Sequence, residues 1–211
     1  IEPLNLEKMH VMVEQACDGL AGVSASQVEI QSGIQFYDGI STAEIQEILI
    51  KSASDLIDLD HPNYQFVAAR LLLFSLRKSL YGRMHENPSI INHVQKCVDK
   101  GVYDGEILQL YSQEEFDRLE SFIDHSRDML FTYAGLRQVV DKYLVQDRST
   151  SQVYETPQFM YLMIAATIFS KYPQDTRLDY VKRYYDAISK HRINIPTPIM
   201  AGVRTPLRQY A

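Results

Sequence analysis

The sequence is poor in the residues that mark several common classes of protein. It has only two cysteines in 211 residues, Cys17 and Cys97, which are far apart and lack the spacing of metal ligands. A disulfide-rich secreted scaffold is therefore excluded, and a reducing compartment is favoured. The longest apolar run, residues 159–169, is too short to cross a bilayer, and the charged opening IEPLNLEKMH is unlike a signal peptide. We expect a cytoplasmic protein with no membrane partner.

Basic residues are also fewer than acidic ones. The chain carries 21 basic and 27 acidic residues, and its formal net charge is -6. A polymer of phosphates is repelled on average by such a protein, so nucleic acid is not an expected partner. Local basic clusters could still bind a small anion.

Motifs that carry catalysis are missing too. No glycine-rich phosphate loop is present, and the six histidines are scattered without metal-ligand spacing. The stretch FIDHSRD at residues 122–128 collects two acids, a histidine and an arginine, and could be a site. A hydrogen-bonded turn at a helix start is the favoured interpretation. Cys17 falls on an apolar helical face, which predicts a buried, unreactive thiol.

Helical patterns dominate what is present. Apolar residues from Leu6 to Leu20 recur every three or four positions, and Asn5 is a suitable N-cap for that helix. Ser41 and Glu44 have the spacing of a capping box and open a third helix. With a helix around residues 30–36 and another from about residue 64 to 82, residues 1–82 predict a bundle of about four helices.

The second half of the chain is also mainly helical. A polar linker at residues 83–89 precedes several further helices, including one opened by a capping box at Ser112 and Glu115. The stretch YLVQDRSTSQVYE alternates around a polar tip and predicts a β-hairpin. The pair Thr156-Pro157 opens an apolar, buried helix, and a last helix ends near residue 190. The prolines that follow predict extended chain.

Several blocks together resemble one family. They are QFYDGI, AARLLLFSLRKSLYG, FIDHSRDMLFTYAGLRQ, KYLVQ, ETPQFMYLMIAA and RYYDAISKHRINIPTPIMAGVRTPLRQ. In register over almost the whole chain, they resemble the amino-terminal third of the large subunit of class Ia ribonucleotide reductase. The resemblance implies an ATP-cone at residues 1–82, a helical domain at 83–192, and the first strand of a ten-stranded α/β barrel at 193–211. It also implies that the chain is a fragment of a longer protein, because the family's catalytic cysteine follows this last segment.

The resemblance further implies where nucleotides bind. In the cone, ATP or dATP, with Mg²⁺, is expected as an allosteric effector, and no cofactor is expected to be covalently bound. The residues that match the family's effector contacts are Leu4, Asn5, Leu6, Glu7, Lys8, Thr42, Gln46, Phe74 and Lys78. Some relatives have histidine at the position of Gln46. The family places a β-hairpin ahead of Leu4, and since this chain begins too late to include it, weak effector binding is expected.

The same resemblance implies the activity and the partners of the intact protein. It would reduce ribonucleoside diphosphates, with Thr197 contacting the substrate diphosphate. Its partners would be a radical-generating small subunit, thioredoxin or glutaredoxin, and a second large subunit in a homodimer. This chain alone should be inactive, and its segment from residue 193 should be mobile because its strand partners are missing. Two alternatives stay open: a stand-alone nucleotide-sensing regulatory module, and a helical interaction protein without a ligand.

Overall fold

The computed structural model describes residues 5–147 and 149–209. The chain divides into two compact units, each with its own core. The first unit is formed by the chain up to residue 85 together with residues 129–137, and the second by residues 86–128 together with the chain from residue 138 onward. The predicted mainly α fold is confirmed.

Four helices build most of the first unit. They are α1 (Leu6–Cys17), α2 (Ala25–Gly33), α3 (Thr42–Asp55) and α4 (Tyr64–Tyr81). Local signals set their beginnings: the Asn5 side chain accepts a hydrogen bond from the Lys8 amide, and Ser41 and Glu44 form the predicted capping box. The α4 helix is the central element, since it packs against both α1 and α3 and buries ten of its side chains.

The second helix differs from the prediction. We expected it at residues 30–36, but α2 begins at Ala25 and ends at Gly33. Ile30 and Ile34, the residues that suggested the helix, are 70% and 83% exposed. Two apolar residues four positions apart therefore indicated a helix correctly without marking its buried face.

Among the residues that the structure describes, six α-helices and a hairpin lie wholly within the second unit, which shares two further helices with the first. The elements after α4 are α5 (Ile90–Asp99), α6 (Ile107–Leu110), α7 (Gln113–Phe122), a 3-10 helix (His125–Leu130), α8 (Tyr133–Lys142), β1 (Gln146–Asp147), β2 (Gln152–Val153), α9 (Pro157–Phe169), α10 (Arg177–Ser189) and α11 (Thr197–Gly202). The first residues of the 3-10 helix belong to this unit and its last ones to the first unit, while α8 begins in the first unit and ends in the second. The apolar α9 lies at the centre of the second unit and packs against α10 and α11.

The predicted β-hairpin is confirmed. Its strands β1 and β2 are antiparallel, with Gln146 opposite Val153 and Asp147 opposite Gln152. The turn between them includes Ser151, whose φ of 57° is left-handed. The hairpin leads straight into the buried start of α9.

The strand predicted from residue 193 is wrong for the residues that the structure describes. Residues 197–202 form the helix α11, and the predicted range ends at residues 210 and 211, which lie outside the described chain. Proline explains the error. Pro198 falls in the first turn of α11, where a fixed φ suits a helix and no intrahelical N–H is needed. The extended chain that the prolines predicted is present just before α11, where residues 193–196 are outside any helix and Pro196 has φ -66° and ψ 150°.

The expectation of an unpaired, mobile tail is also wrong in its premise. Val203 and Arg204 are 0% and 2% exposed. The amide of Asp104 donates to the carbonyl of Arg204 at 2.9 Å, and the Arg204 guanidinium pairs with Glu155. The segment after α10 therefore has partners inside the second unit and does not need barrel strands to hold it.

No helix within residues 5–147 and 149–209 combines the length and the apolar character that crossing a membrane requires.

Candidate nucleotide site and substrate-binding segment

The direction of α1 relative to α4 places the start of α1 near the end of α4. The Arg70 guanidinium donates to the carbonyls of Ala16 and Asp18, at the end of α1, over 3.1 and 2.6 Å. One turn further along α4, Phe74 borders the same cleft as Glu14. The two helices are thus antiparallel, and the next turn of α4 lies towards the first turn of α1.

The start of α3 lies at the same end of the bundle. The Ser75 hydroxyl of α4 donates to the side-chain oxygen of Gln46 over 3.0 Å. Gln46 is one turn after Thr42, the first residue of α3, and Lys78 is about one turn after Ser75. The first turns of α1 and α3 and the last turn of α4 therefore lie at the same end of the bundle.

This bundle end, defined by residues 5–8, 42–46 and 75–78, has features that suit an anion. The first amides of α1 and α3 have no acceptor within their own helices, and helix beginnings carry partial positive charge. Lys8 and Lys78 are both exposed and contribute two full positive charges. The acidic side chain of Glu7 and the partial negative charge at the end of α4 disfavour an anion at this site.

Glu44 is the second acidic group at this end, and it is already engaged. Its carboxylate accepts from the Ser41 amide and from the Tyr37 hydroxyl, each over 3.0 Å. Its hydrogen bonds with Ser41, followed by the bond from Tyr37, lower the pKa of Glu44. The carboxylate is therefore a cap of α3 and keeps its charge.

Phe74 is a buried residue, unlike the other predicted effector contacts that the structure describes. Only 1% of it is exposed, and its ring meets the ring of His85 edge-on, with centroids 5.9 Å apart. It borders a cleft of about 420 Å³ whose other lining residues include Glu14 and Asp18. Two carboxylates make that cleft a poor place for phosphates, so the bundle end is the better candidate.

Leu4 and an Mg²⁺ ion were also predicted at the effector site. Leu4 lies outside the described residues, so its role stays a prediction. Within residues 5–147 and 149–209, no group of three or more histidine, cysteine, aspartate or glutamate side chains could hold a metal ion.

Thr197 lies in the second unit, as the first residue of α11. It is exposed, and its hydroxyl lies 3.4 Å from the hydroxyl of Tyr143, which follows α8. The Gln138 amide of α8 donates to the same tyrosine oxygen, also over 3.4 Å. The hydrogen bonds with Thr197 and then Gln138 lower the pKa of Tyr143.

A buried ion pair fixes the segment that contains Thr197 and α11. The Arg204 guanidinium pairs with the carboxylate of Glu155, and both side chains are fully buried. Arg204 also donates to the carbonyls of Met200, in α11, and Tyr143. Burial lowers the pKa of Arg204, but the charge and hydrogen bonds of Glu155 outweigh burial, so the net shift is upward. The guanidinium therefore stays charged, and its contacts fix α11 to the residues around the hairpin.

The FIDHSRD stretch is structural, as predicted. Asp124 accepts from the amide and hydroxyl of Ser126, and Arg127 forms ion pairs with Asp124 and Asp186. Asp128 accepts from the buried amide of Gln158. These contacts form a turn that joins the 3-10 helix to α9 and α10.

The thiols are not nucleophiles in this structure. Burial raises the pKa of the Cys17 thiol to about 11, and it raises that of Cys97 to about 12. Both groups are therefore protonated at neutral pH, which agrees with an unreactive Cys17, but Cys17 is only partly buried rather than buried as predicted.

Comparison with known proteins identifies both parts of the chain. Residues 1–79 match the model of the ATP cone domain, and residues 129–208 match that of the ribonucleotide reductase all-alpha domain. The chain is 53% identical over 210 residues to ribonucleoside-diphosphate reductase 1 subunit alpha of Escherichia coli (strain K12), and equally similar to the enzyme of that name from Salmonella typhimurium. It is also 53% identical to ribonucleoside-diphosphate reductase subunit alpha of Haemophilus influenzae. Each match covers 100% of this chain and 28% of the relative.

The chain contains an ATP cone domain and a ribonucleotide reductase all-alpha domain, and it matches reductase large subunits along its whole length. The resemblance drawn from the sequence blocks is thereby confirmed. Within this family, the cone is a nucleotide-effector domain, and its match falls on α1–α4, the helices that form the bundle end. The match to the reductase all-alpha domain includes α8 to α11 and therefore Thr197.

Sequence patterns missed the residues that support Thr197. Tyr143 and Glu155 lie 54 and 49 residues from the partners they contact, Thr197 and Arg204. No local pattern connects residues at such separations. The only available signal was the presence of all four residues within blocks that resemble the reductase family.

Proposed function

We propose that the chain forms part of a ribonucleoside-diphosphate reductase large subunit, which reduces ribonucleoside diphosphates to deoxyribonucleoside diphosphates for DNA synthesis. The observation that carries the proposal is the presence of two domains in one chain, an ATP cone and a reductase all-alpha domain. The second domain disfavours a stand-alone sensing module. The chain spans 28% of its relatives, so the activity belongs to a longer protein.

In this proposal the chain senses an effector and contributes to substrate binding, but supplies no catalytic residue. The radical chemistry requires a cysteine that the family places after the segment containing Thr197, so residues 1–211 alone reduce no substrate. The complete protein works in the cytoplasm as a homodimer. It receives a radical from a small subunit and electrons from thioredoxin or glutaredoxin, and it binds neither nucleic acid nor membrane.

The proposed effector is ATP or dATP with Mg²⁺, bound at the bundle end. Lys8 and Lys78 pair with the phosphates, to which the first amides of α1 also donate. The Thr42 hydroxyl and the Gln46 side-chain amide are both uncharged, and each donates a hydrogen bond to the nucleotide or accepts one from it. Contact between Phe74 and the base requires that ring to become accessible, because only 1% of it is exposed. Asn5, Leu6 and Glu7 form the helix start that shapes the phosphate pocket.

The proposed substrate contact is a hydrogen bond from the Thr197 hydroxyl to the diphosphate. The hydroxyl is exposed at the start of α11, while the other end of the segment is fixed by Arg204. A hydroxyl in a fixed position loses little freedom when it meets an anion, which favours binding.

Calorimetry of dATP binding tests the effector site. We expect Lys78→Ala to weaken binding about ten- to hundredfold, the factor for one lost charge-assisted contact. Lys51→Ala is the matched control, because Lys51 is an exposed lysine in the second half of α3, away from the bundle end, where it pairs with Asp55. Equal affinities for the wild type and Lys78→Ala, or an equal loss in Lys51→Ala, would contradict the assignment.

A further inference from the structure

The surroundings of Thr197 contain a short chain of hydrogen bonds that ends at its hydroxyl. Gln138 donates an amide hydrogen to the oxygen of Tyr143, and the two hydroxyl oxygens of Tyr143 and Thr197 are 3.4 Å apart. A hydroxyl has one hydrogen to donate. Either hydroxyl can be the donor of the bond between Tyr143 and Thr197, and Gln138 leaves the tyrosine hydrogen unused because it bonds only to the oxygen.

In the orientation in which Tyr143 is the donor, the hydrogen of Thr197 remains for another acceptor. When Thr197 accepts from Tyr143, its own hydrogen is free to be donated to an anion. Hydrogen bonds in such a series polarise one another, so the threonine becomes a better donor than an isolated hydroxyl. The side chain of Tyr143 therefore affects how Thr197 meets a phosphate without touching the phosphate itself.

The backbone of Tyr143 is fixed to the same segment. Its carbonyl accepts from the Arg204 guanidinium over 2.9 Å, and Arg204 also donates to the Met200 carbonyl of α11. Glu155 neutralises this buried guanidinium. Tyr143 is thus connected to α11 at two points, by its hydroxyl at the first residue and by its carbonyl near the end.

We propose that Tyr143 is a positioning residue for the diphosphate of the substrate, acting through the hydroxyl of Thr197. This inference rests on the proposed function, because it requires Thr197 to bind a diphosphate. It assigns to Tyr143 a role in substrate affinity and none in the chemical step.

Steady-state reduction of CDP by the complete large subunit with its small subunit tests the proposal. Tyr143→Phe removes one neutral hydrogen bond, and at 3.4 Å this bond is longer than usual. We expect KM for CDP to rise about two- to fivefold, with kcat changed by less than about twofold. Thr197→Val removes the contact with the anion and should raise KM about ten- to hundredfold.

The double variant separates positioning from direct contact. If Tyr143 acts only through Thr197, Tyr143→Phe has no further effect on KM in the Thr197→Val background. Tyr154→Phe is the matched control, because Tyr154 is another partly buried tyrosine, whose hydroxyl donates to the nearby Gln152 side chain. Its KM should equal that of the wild type.

A second variant shows whether an effect of Tyr143→Phe comes from the lost hydrogen bond or from a folding defect. Gln138→Ala leaves the tyrosine ring in place and removes its donor, so KM should rise in the same direction as in Tyr143→Phe, by a smaller factor. An unchanged KM in Tyr143→Phe, or effects of Tyr143→Phe and Thr197→Val that multiply in the double variant, would overturn the inference while the proposed function stands. A complete wild-type enzyme that reduces no ribonucleoside diphosphate would overturn both.

Discussion

Glu155→Gln should be among the most damaging conservative substitutions in the second unit. The Glu155 carboxylate accepts four hydrogen bonds, from the Val145 amide, the Tyr103 hydroxyl and two nitrogens of Arg204. A glutamine offers one oxygen, and its amide group would face donors. It also leaves the charge of Arg204 uncompensated in a site where 0% of either side chain is exposed.

The size of the effect follows from that geometry. Removing one partner of a buried ion pair costs about 3–5 kcal/mol, because the other charge stays buried. The free energy of unfolding should fall by that amount, which corresponds to a urea midpoint lower by at least about 1 M. The chain has no tryptophan and 14 tyrosines, so tyrosine fluorescence and circular dichroism are suitable probes.

The control substitution is Asp117→Asn, in α7 of the same unit. Asp117 is exposed and accepts one hydrogen bond, from Gln113. Its loss should change the free energy of unfolding by less than about 0.5 kcal/mol. A change below about 1 kcal/mol in Glu155→Gln would refute the argument that this pair fixes the segment containing α11.

Two further predictions concern the same unit. Hydrogen bonds from Arg177 hold the pKa of Glu115 below its ordinary value of 4.5, so the stability from this pair is complete above about pH 4.5 and is lost as pH falls through the lower folded-state pKa. Urea unfolding between pH 3 and 6 should therefore show a steeper decline for the wild type than for Glu115→Gln, and parallel curves would contradict this. A Cβ at Gly202 would lie 2.9 Å from the Cβ of Gln209, so Gly202→Ala should lower the free energy of unfolding by about 1–3 kcal/mol. An unchanged thermal midpoint would show that the Gln209 turn moves freely.

Features with local causes could be predicted from the sequence. The start of α1 follows from Asn5, and the starts of α3 and α7 follow from capping boxes in which a serine and a glutamate three residues later satisfy each other. The hairpin follows from alternation around a polar tip. In each case the residues that decide the structure are neighbours in the chain.

Features with distant or ambiguous causes could not be predicted. Pro196 and Pro198 restrict φ in a way that suits both extended chain and a first helical turn, and packing decided for α11. Arg204 has a residue type that is usually exposed, and only its contact with Glu155, far away in the chain, explains its burial. The effector contacts could be assigned only through family resemblance, since the antiparallel packing of α1 and α3 on α4 is what places Lys8 and Lys78 at one end of the bundle.

Mapping dATP on the isotopically labelled chain by NMR tests the central claim most directly. The account predicts that amide signals shift at residues 5–8, 42–46 and 75–78, the three stretches of the bundle end. Signals at the opposite end, around Ala16 and Arg70, should stay in place. Shifts concentrated instead around Glu14, Asp18 and His85 would place the nucleotide in the acidic cleft, and they would contradict the assignment of the effector site.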